Sequence, residues 1–220
     1  MSRAPSFCGV ILAAGQSTRM GRDKALLPWP ASNSGIALSE TFLSSTIAAL
    51  NGVNDMVIVV AGINEPYLQP IVYGAGASLV RNRNPEFGQF SSLQVGLGEV
   101  LNQGRDAAMV TLVDRPPPNT ATLTMLRLAF EEAVQRRKWA VVPEYQGKHG
   151  HPILVGREMI SAFLEAEVTS TARDIEHHNQ QHVEYVQIDD PFVILNVDTP
   201  QDYESLISPP GIPSSASLKH

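Results

Sequence analysis

The sequence predicts an α/β fold, a doubly wound sheet that is mostly parallel with some mixed pairing. Three observations carry that prediction. Short apolar runs recur along the 220 residues. Most are continuous rather than alternating, as suits strands covered on both faces. Helical candidates fall between them, and alternation of strand and helix leads to a parallel sheet.

Taken in order, the first strand is the run FCGVILAA at 7–14, followed by a loop and a helix over 38–50. Strands at 56–61 and 77–81 come next, then a helix over 92–101 and a strand at 107–113. A long helix over 121–137 leads into strands at 139–143 and 152–155. Helices over 158–165 and 171–179 precede two last strands, 182–188 and 192–197. Thr199 then caps a helix that begins at Pro200 and carries Asp202 in its first turn. The tail after Ile207, rich in Ser and Pro, cannot bury an apolar face and is expected to be disordered. No repeat or linker divides the chain, so residues 1–206 are expected to form one domain and 207–220 a tail.

Composition narrows the function. A net charge of −6 argues against non-specific nucleic-acid binding, which needs a basic face. No apolar run approaches the ~20 residues of a membrane helix. Residues 1–6 are too short and polar for a signal peptide, and the one cysteine, Cys8, has no disulfide partner in the chain, so a cytoplasmic setting is expected. Cys8 itself reads as a small buried hydrophobe.

The most informative stretch directly follows the first strand: Leu12-Ala-Ala-Gly-Gln-Ser-Thr-Arg-Met-Gly-Arg-Asp-Lys24. Gly15 and Gly21 permit positive φ angles that turn backbone N–H groups toward one point. Ser17 and Thr18 add hydroxyl donors, and Arg19, Arg22 and Lys24 add positive charge. Such a loop is suited to phosphate groups. It is not a P-loop, because its glycines are one position too far apart and Arg22 follows the second; nor does it contain the Gly-x-Gly-x-x-Gly dinucleotide fingerprint.

Ligands of such sheets bind beyond the carboxyl ends of the strands, which places this loop and Asp114 on the same rim; other constellations add candidates. Asp114 ends an apolar strand and is followed by prolines that stop it. A carboxylate facing a phosphate loop needs a cation between them, and Mg²⁺ combines one or two carboxylates with phosphate oxygens. Asp198 ends another expected strand and is either a second metal ligand or a structural turn residue. Asn82 to Leu97 contains a glycine-bearing loop, with Gly88, before a helix opened by Ser91 or Ser92. His149 and His151, in Gly147-Lys-His-Gly-His-Pro152, read as substrate-recognition groups or as surface turn histidines, because a zinc site would ordinarily include paired cysteines.

Together these motifs resemble the nucleotidyltransferase family that includes the molybdenum cofactor cytidylyltransferases, the MobA-like NTP transferases. The Leu-Ala-Ala-Gly-x-Ser-x-Arg-Met-Gly-x-x-Lys loop at 12–24 is followed in the family's order by Asn84-Pro…Gly88…Ser92-Leu93…Gly96, Asp114-x-Pro116, Gly147-x-x-Gly-His-Pro152 and Asp198-Thr-Pro-x-Asp202. The resemblance runs from residue 7 to about 204. It implies a Rossmann-like domain of the nucleotide-diphospho-sugar transferase type. That domain transfers a nucleotidyl group from an NTP to a phosphorylated acceptor and releases pyrophosphate, with Mg²⁺ as cofactor.

Carried over by residue, Gly15, Ser17, Arg19 and Lys24 would hold the triphosphate. Leu12, Ala13 and Ala14 would approach the base, and Gly88 and Ser92 would flank base or ribose. Asp114 and Asp198 would bind Mg²⁺, while His149 and His151 would face the acceptor. Lys24, Arg19 and Asp114 would carry the catalysis. The short spacer between Gly21 and Lys24, and Ala14 where the guanylyl branch usually has glycine, point to CTP as donor and molybdopterin as acceptor. A molybdoenzyme or maturation factor is then the natural protein partner. GTP, another phosphorylated acceptor, and a catalytically idle nucleotide-binding protein are the alternatives. The chain departs from the family pattern at residues 30–38, at Arg115 (often Gln or Met) and at His149 (often Arg), all on or near the expected acceptor side.

Overall fold

A computed structural model describes residues 5–29, 40–117 and 119–207, so the expected tail and the first residues of the expected 38–50 helix lie outside the described residues. In chain order the elements are β1 (Phe7–Ala13), α1 (Phe42–Asn51), β2 (Met56–Ala61), α2 (Glu65–Gly74), β3 (Ser78–Arg81), α3 (Gln89–Asn102), β4 (Ala107–Leu112) and α4 (Thr120–Gln135). They continue with β5 (Ala140–Tyr145), β6 (Lys148–His149), β7 (Ile153–Gly156), α5 (Arg157–Glu165), α6 (Ala172–His178), β8 (Val183–Gln187) and α7 (Pro200–Ile207).

The strands form one sheet in the order β3-β2-β1-β4-β7-β5, with β6 and β8 also paired to β5. β3, β2, β1 and β4 run parallel to one another, and β8 runs parallel to β5. β7 is antiparallel to both β4 and β5, and β6 folds back antiparallel on β5. The sheet is thus mixed but mostly parallel, and the strand order reverses direction at β1, between β2 and β4.

Alternation along the buried strands separates the core into two layers. Phe7, Ile11, Val57, Val59 and Met109 pack with Ile47 of α1, Leu68 of α2 and Leu126 of α4. Cys8, Val10, Ile58, Val60 and Val110 face the other way, against Leu97 of α3 and Ile160 of α5. Cys8 is fully buried, and burial pushes its thiol up to about 12. A third, smaller cluster joins Met20, Leu27, Phe42, Val197 and Tyr203. It fastens the loop after β1 to α1 and to the segment carrying Asp198.

The structure corrects three sequence expectations. No strand forms at 192–197. Pro191 instead opens a tight turn through Val193, and the chain then crosses the rim of the sheet. Its backbone groups are used across the rim, where Val197 N–H donates to the Asp114 carbonyl (2.8 Å) and the Val193 carbonyl accepts from His151 N–H (2.8 Å). An additional helix, α2, was hidden by its two prolines; Pro66 occupies the first turn, where its missing N–H has no intrahelical partner anyway. Finally, α3 begins at Gln89 rather than at a serine, with Gly88 (φ 89°) in the cap position.

Candidate functional site

β1 ends at the direction reversal of the sheet, and its loop turns back over the carboxyl ends of β1 and β4. Positive φ angles fall at Ser17 (50°) and Gly21 (70°), not at Gly15. Gly15 instead lines a cleft, and the space in front of its Cα is open. Ser17 Oγ accepts a hydrogen bond from Lys24 N–H (3.1 Å), closing the loop on itself.

A buried asparagine clamps the same loop to the end of β2. Asn64 Nδ2 donates to the Ala13 carbonyl (2.9 Å) and to Asp23 Oδ2 (2.7 Å), while Asn64 Oδ1 accepts from Gly62 N–H (3.0 Å). Asp23 Oδ1 in turn accepts from Ala25 N–H (2.9 Å). Asn64 was not singled out in the sequence; only contact across the sheet reveals it.

Lys24 is placed by this clamp. It is 7% exposed, and its Nζ lies 2.6 Å from Asp198 Oδ1 and 3.4 Å from Asp114 Oδ2. Arg19 Nη2, much more exposed, reaches Asp198 Oδ1 at 3.2 Å. Lys24 is therefore the cation between the two carboxylates, Asp114 just beyond β4 and Asp198 just before α7; with no strand at 192–197, Asp198 does not end one, as the sequence had implied. Asp114 Oδ1 is buried and has no hydrogen-bond partner. An orphaned carboxylate oxygen beside a second carboxylate suits a hard divalent cation that completes its shell with phosphate oxygens. The residues present thus fit the expected metal.

Asp198 is held by the helix that follows it. Thr199 Oγ1 accepts from Asp202 N–H (3.2 Å), and Asp202 Oδ2 accepts from the N–H groups of Thr199 (2.8 Å) and Asp198 (2.9 Å). The bonds from Thr199, aided by that from Asp198, hold the Asp202 carboxyl below its ordinary value. Asp202 is a capping residue, as its position after Thr199-Pro200 implied.

Arg19, Lys24, Asp114 and Asp198 line a cleft of about 290 Å³, together with Leu12, Ala14, Gly15, Ser17, Thr18, Gly88, Gln89 and Ser92. Ala13 does not reach it. That residue packs in the opposite core layer and its carbonyl is taken by Asn64, which corrects its expected place at the base. Nor does Arg22 line the cleft, since its guanidinium lies over the Tyr203 ring, 5.5 Å from the centroid. Ser91 and Ser92 accept hydrogen bonds from Asn82 Nδ2 at 2.9 and 3.0 Å, so both serines are buried within the loop scaffold.

A second cleft of about 870 Å³ shares Leu12, Gly88, Gln89 and Leu112 with the first, so the two are continuous. His149 and His151 both line it. His151 Nδ1 lies 3.4 Å from the Val110 carbonyl. Burial, reinforced by the Arg115 charge, lowers its pKa to about 3, so the ring is neutral near pH 7. His149 is more exposed, stacks on Tyr185 with centroids 4.2 Å apart, and has Nε2 3.5 Å from Glu144 Oε2. Gly150 between them admits no side chain, because a Cβ there would lie 2.2 Å from the Val193 carbonyl oxygen.

Among the lining residues that escaped the sequence reading as site groups, three bear most on the chemistry. Gln89 opens α3 beside both clefts. Arg115 Nη1 donates to the Val193 carbonyl (2.8 Å). Glu176 of α6 lines the larger cleft, and burial raises its carboxyl to about 7, opposed by the Arg173 charge. The neighbour of Asp114 carried a signal in its charge; Gln89 and Glu176 carried none.

Among the described residues no helix is long and apolar enough to cross a membrane. Residues 9–185 match the family model described as MobA-like NTP transferase domain. The chain is 26% identical over 200 residues to the molybdenum cofactor cytidylyltransferase of Escherichia coli, covering 88% of this chain and 92% of that protein. It is 27% identical over 204 residues to the molybdenum cofactor guanylyltransferase of Xanthomonas euvesicatoria, covering 91% and 94%. Its fold is similar to the crystal structure of Rv0371c from Mycobacterium tuberculosis, with a TM-score of 0.76 at 25% identity, covering 94% of this chain and 99% of that one. A manganese complex of Rv0371c gives a TM-score of 0.72 at 24% identity, covering 92% and 98%.

Proposed function

This chain belongs to the MobA-like NTP transferase domain family, and from that premise we propose that it transfers CMP from CTP to the terminal phosphate of molybdopterin, releasing pyrophosphate. The observation that carries the reading is Lys24 Nζ set between Asp114 and Asp198 on the floor of a cleft walled by the loop after β1. A site for a neutral ligand has no need of a buried cation between two carboxylates at a phosphate-shaped loop.

The smaller cleft is assigned to the nucleotide. Gly15, Ser17, Arg19 and Lys24 take the triphosphate, with Leu12, Ala14, Gly88 and Ser92 at the nucleoside. Asp114 and Asp198 hold Mg²⁺ or a similar divalent cation, which neutralises phosphate charge and keeps the α-phosphate oriented when bound. A phosphate oxygen of the acceptor forms a bond to the α-phosphorus, and the bond from that phosphorus to the bridging oxygen of pyrophosphate breaks. A phosphate monoester is already anionic, so no base is required, and the work lies in bringing polyanions together in line. Lys24 and Arg19 offset the charge that grows on the leaving group. The larger cleft, with His149 and His151, receives the acceptor.

Support for CTP comes from Ala14, which lines the smaller cleft, and from the near full-length match to the cytidylyltransferase of E. coli. Relatives named guanylyltransferase match over a similar span, so the donor is the point to test. Pyrophosphate release is measured with each NTP, Mg²⁺, and molybdopterin or other phosphate monoesters. The expected result is turnover fastest with CTP and molybdopterin, and an Ala14→Gly variant whose CTP-over-GTP ratio falls about tenfold, the scale of one methyl group in a pocket. Release with no pair refutes the enzyme reading; a preference for GTP in the unaltered chain refutes the cytidylyl assignment.

A further inference from the structure

The larger cleft is lined by an arginine that forms no ion pair among the described residues. Arg115 follows Asp114 directly, so it stands where the two clefts meet, and it lines the larger one. Its Nη1 is fixed by the Val193 carbonyl (2.8 Å), which His151 N–H also engages. Its Nε is buried and has no partner. Among the described residues its guanidinium forms no ion pair, and its hydrogen bond is to a backbone carbonyl.

The negative charges of Asp114 and Asp198 act on it from a distance, but both carboxylates are engaged by Lys24. His151 is neutral and Lys24 is already engaged by both aspartates. Lys148 and Arg173, the other cations lining this cleft, are exposed. A guanidinium partly removed from water gains most from an anion that faces it, and arginine is the side chain best matched to the oxygens of a phosphate.

We propose that Arg115 is the anchor for the acceptor's phosphate, the contact that restricts the acceptor to phosphate monoesters and holds the attacking group beside the nucleotide cleft. This rests on the reading of the two clefts given above. Arg115 is then a specificity-determining residue for the acceptor and has no part in binding the triphosphate.

The test uses the full chain and an Arg115→Gln variant, which removes the charge and keeps a polar side chain of shorter reach. Inorganic phosphate is titrated calorimetrically into protein saturated with Mg²⁺ and a non-hydrolysable CTP analogue, and KM values are measured for acceptor and nucleotide. The unaltered chain is expected to bind phosphate, and the variant at least tenfold more weakly. The acceptor KM should rise about 10–100-fold, the scale of one charged hydrogen bond, with the nucleotide KM within about twofold. Arg115→Lys should recover part of the loss. Failure of the unaltered chain to bind phosphate, equal binding by Arg115→Gln, or an equal loss of nucleotide affinity would each overturn the proposal. If phosphate binding is lost in the variant but no phosphorylated acceptor is turned over, the anchor stands and the transferase reading falls.

Discussion

Replacing Lys24 by Met removes the charge at the centre of the site and nearly keeps the side-chain volume. Lys24 Nζ faces Asp198 at 2.6 Å and Asp114 at 3.4 Å, with the lysine almost fully buried and the carboxylates about 28–29% exposed. Without it, two carboxylates face each other, with the exposed Arg19 beside Asp198. Breaking a fully buried pair costs about 3–5 kcal/mol. The solvent access of the two aspartates reduces that here, and a loss of about 1–3 kcal/mol is expected. For a chain of this length each kcal/mol shifts Tm by about 2–4 °C, so Lys24→Met should melt roughly 2–12 °C lower in the absence of divalent metal. Millimolar Mg²⁺ should restore more of that loss than it adds to the unaltered protein, because the cation replaces the missing charge between the carboxylates. Turnover should still fall at least about 10²-fold, the scale of one lost transition-state donor. Differential scanning fluorimetry with and without Mg²⁺, alongside a pyrophosphate-release assay, reads both effects. Near-normal turnover, or a Tm deficit that Mg²⁺ leaves unchanged, would refute the role given to Lys24 and the metal site given to Asp114 and Asp198.

Two further outcomes follow from neighbouring groups. Glu176 is raised to about 7 in the fold, so its contribution to stability is fully present below its unfolded value near 4.5 and is lost as pH rises toward 7. A Glu176→Gln variant should therefore lose less stability than the unaltered chain between about pH 4.5 and 7, and identical pH–Tm curves would contradict the burial assigned to it. Asn64→Ala removes three hydrogen bonds that tie the loop to β1 and β2; a stability loss of about 1–3 kcal/mol and a raised nucleotide KM are expected, and an unchanged KM in a folded variant would show that the clamp does not position the loop.

Local pattern carried much of the architecture. The eight expected strand segments include counterparts of β1–β5, β7 and β8, because continuous apolar runs mark strands buried on both faces. The glycine, hydroxyl and basic residues between β1 and Lys24 marked the phosphate loop for a similar reason, since turning and charge are encoded within a few neighbouring positions. Where local signals competed, the reading failed. Pro66 and Pro70 masked α2, and the apolar run at 192–197 imitated a strand although its backbone groups bond across the rim of the sheet. Gly15 was credited with the positive φ that Ser17 adopts, because residue type shows which backbone shapes are permitted and not which one the loop requires.

The sequence alone determined the layered sheet, the rim on which the site lies, and the residue types gathered there. Only the tertiary structure decided which of them meet. Lys24 and Asp198 are 174 positions apart, and no periodicity relates them. Their contact is made by Met20, Leu27, Phe42, Val197 and Tyr203, which close a small apolar cluster and draw the last segment over the loop. The orphaned oxygen of Asp114, the buried Asn64 clamp and the unpaired Arg115 likewise arise from which groups the fold removes from water. Burial and partnership are properties of the packed chain, whereas hydrophobic pattern and turn chemistry are properties of neighbours in sequence.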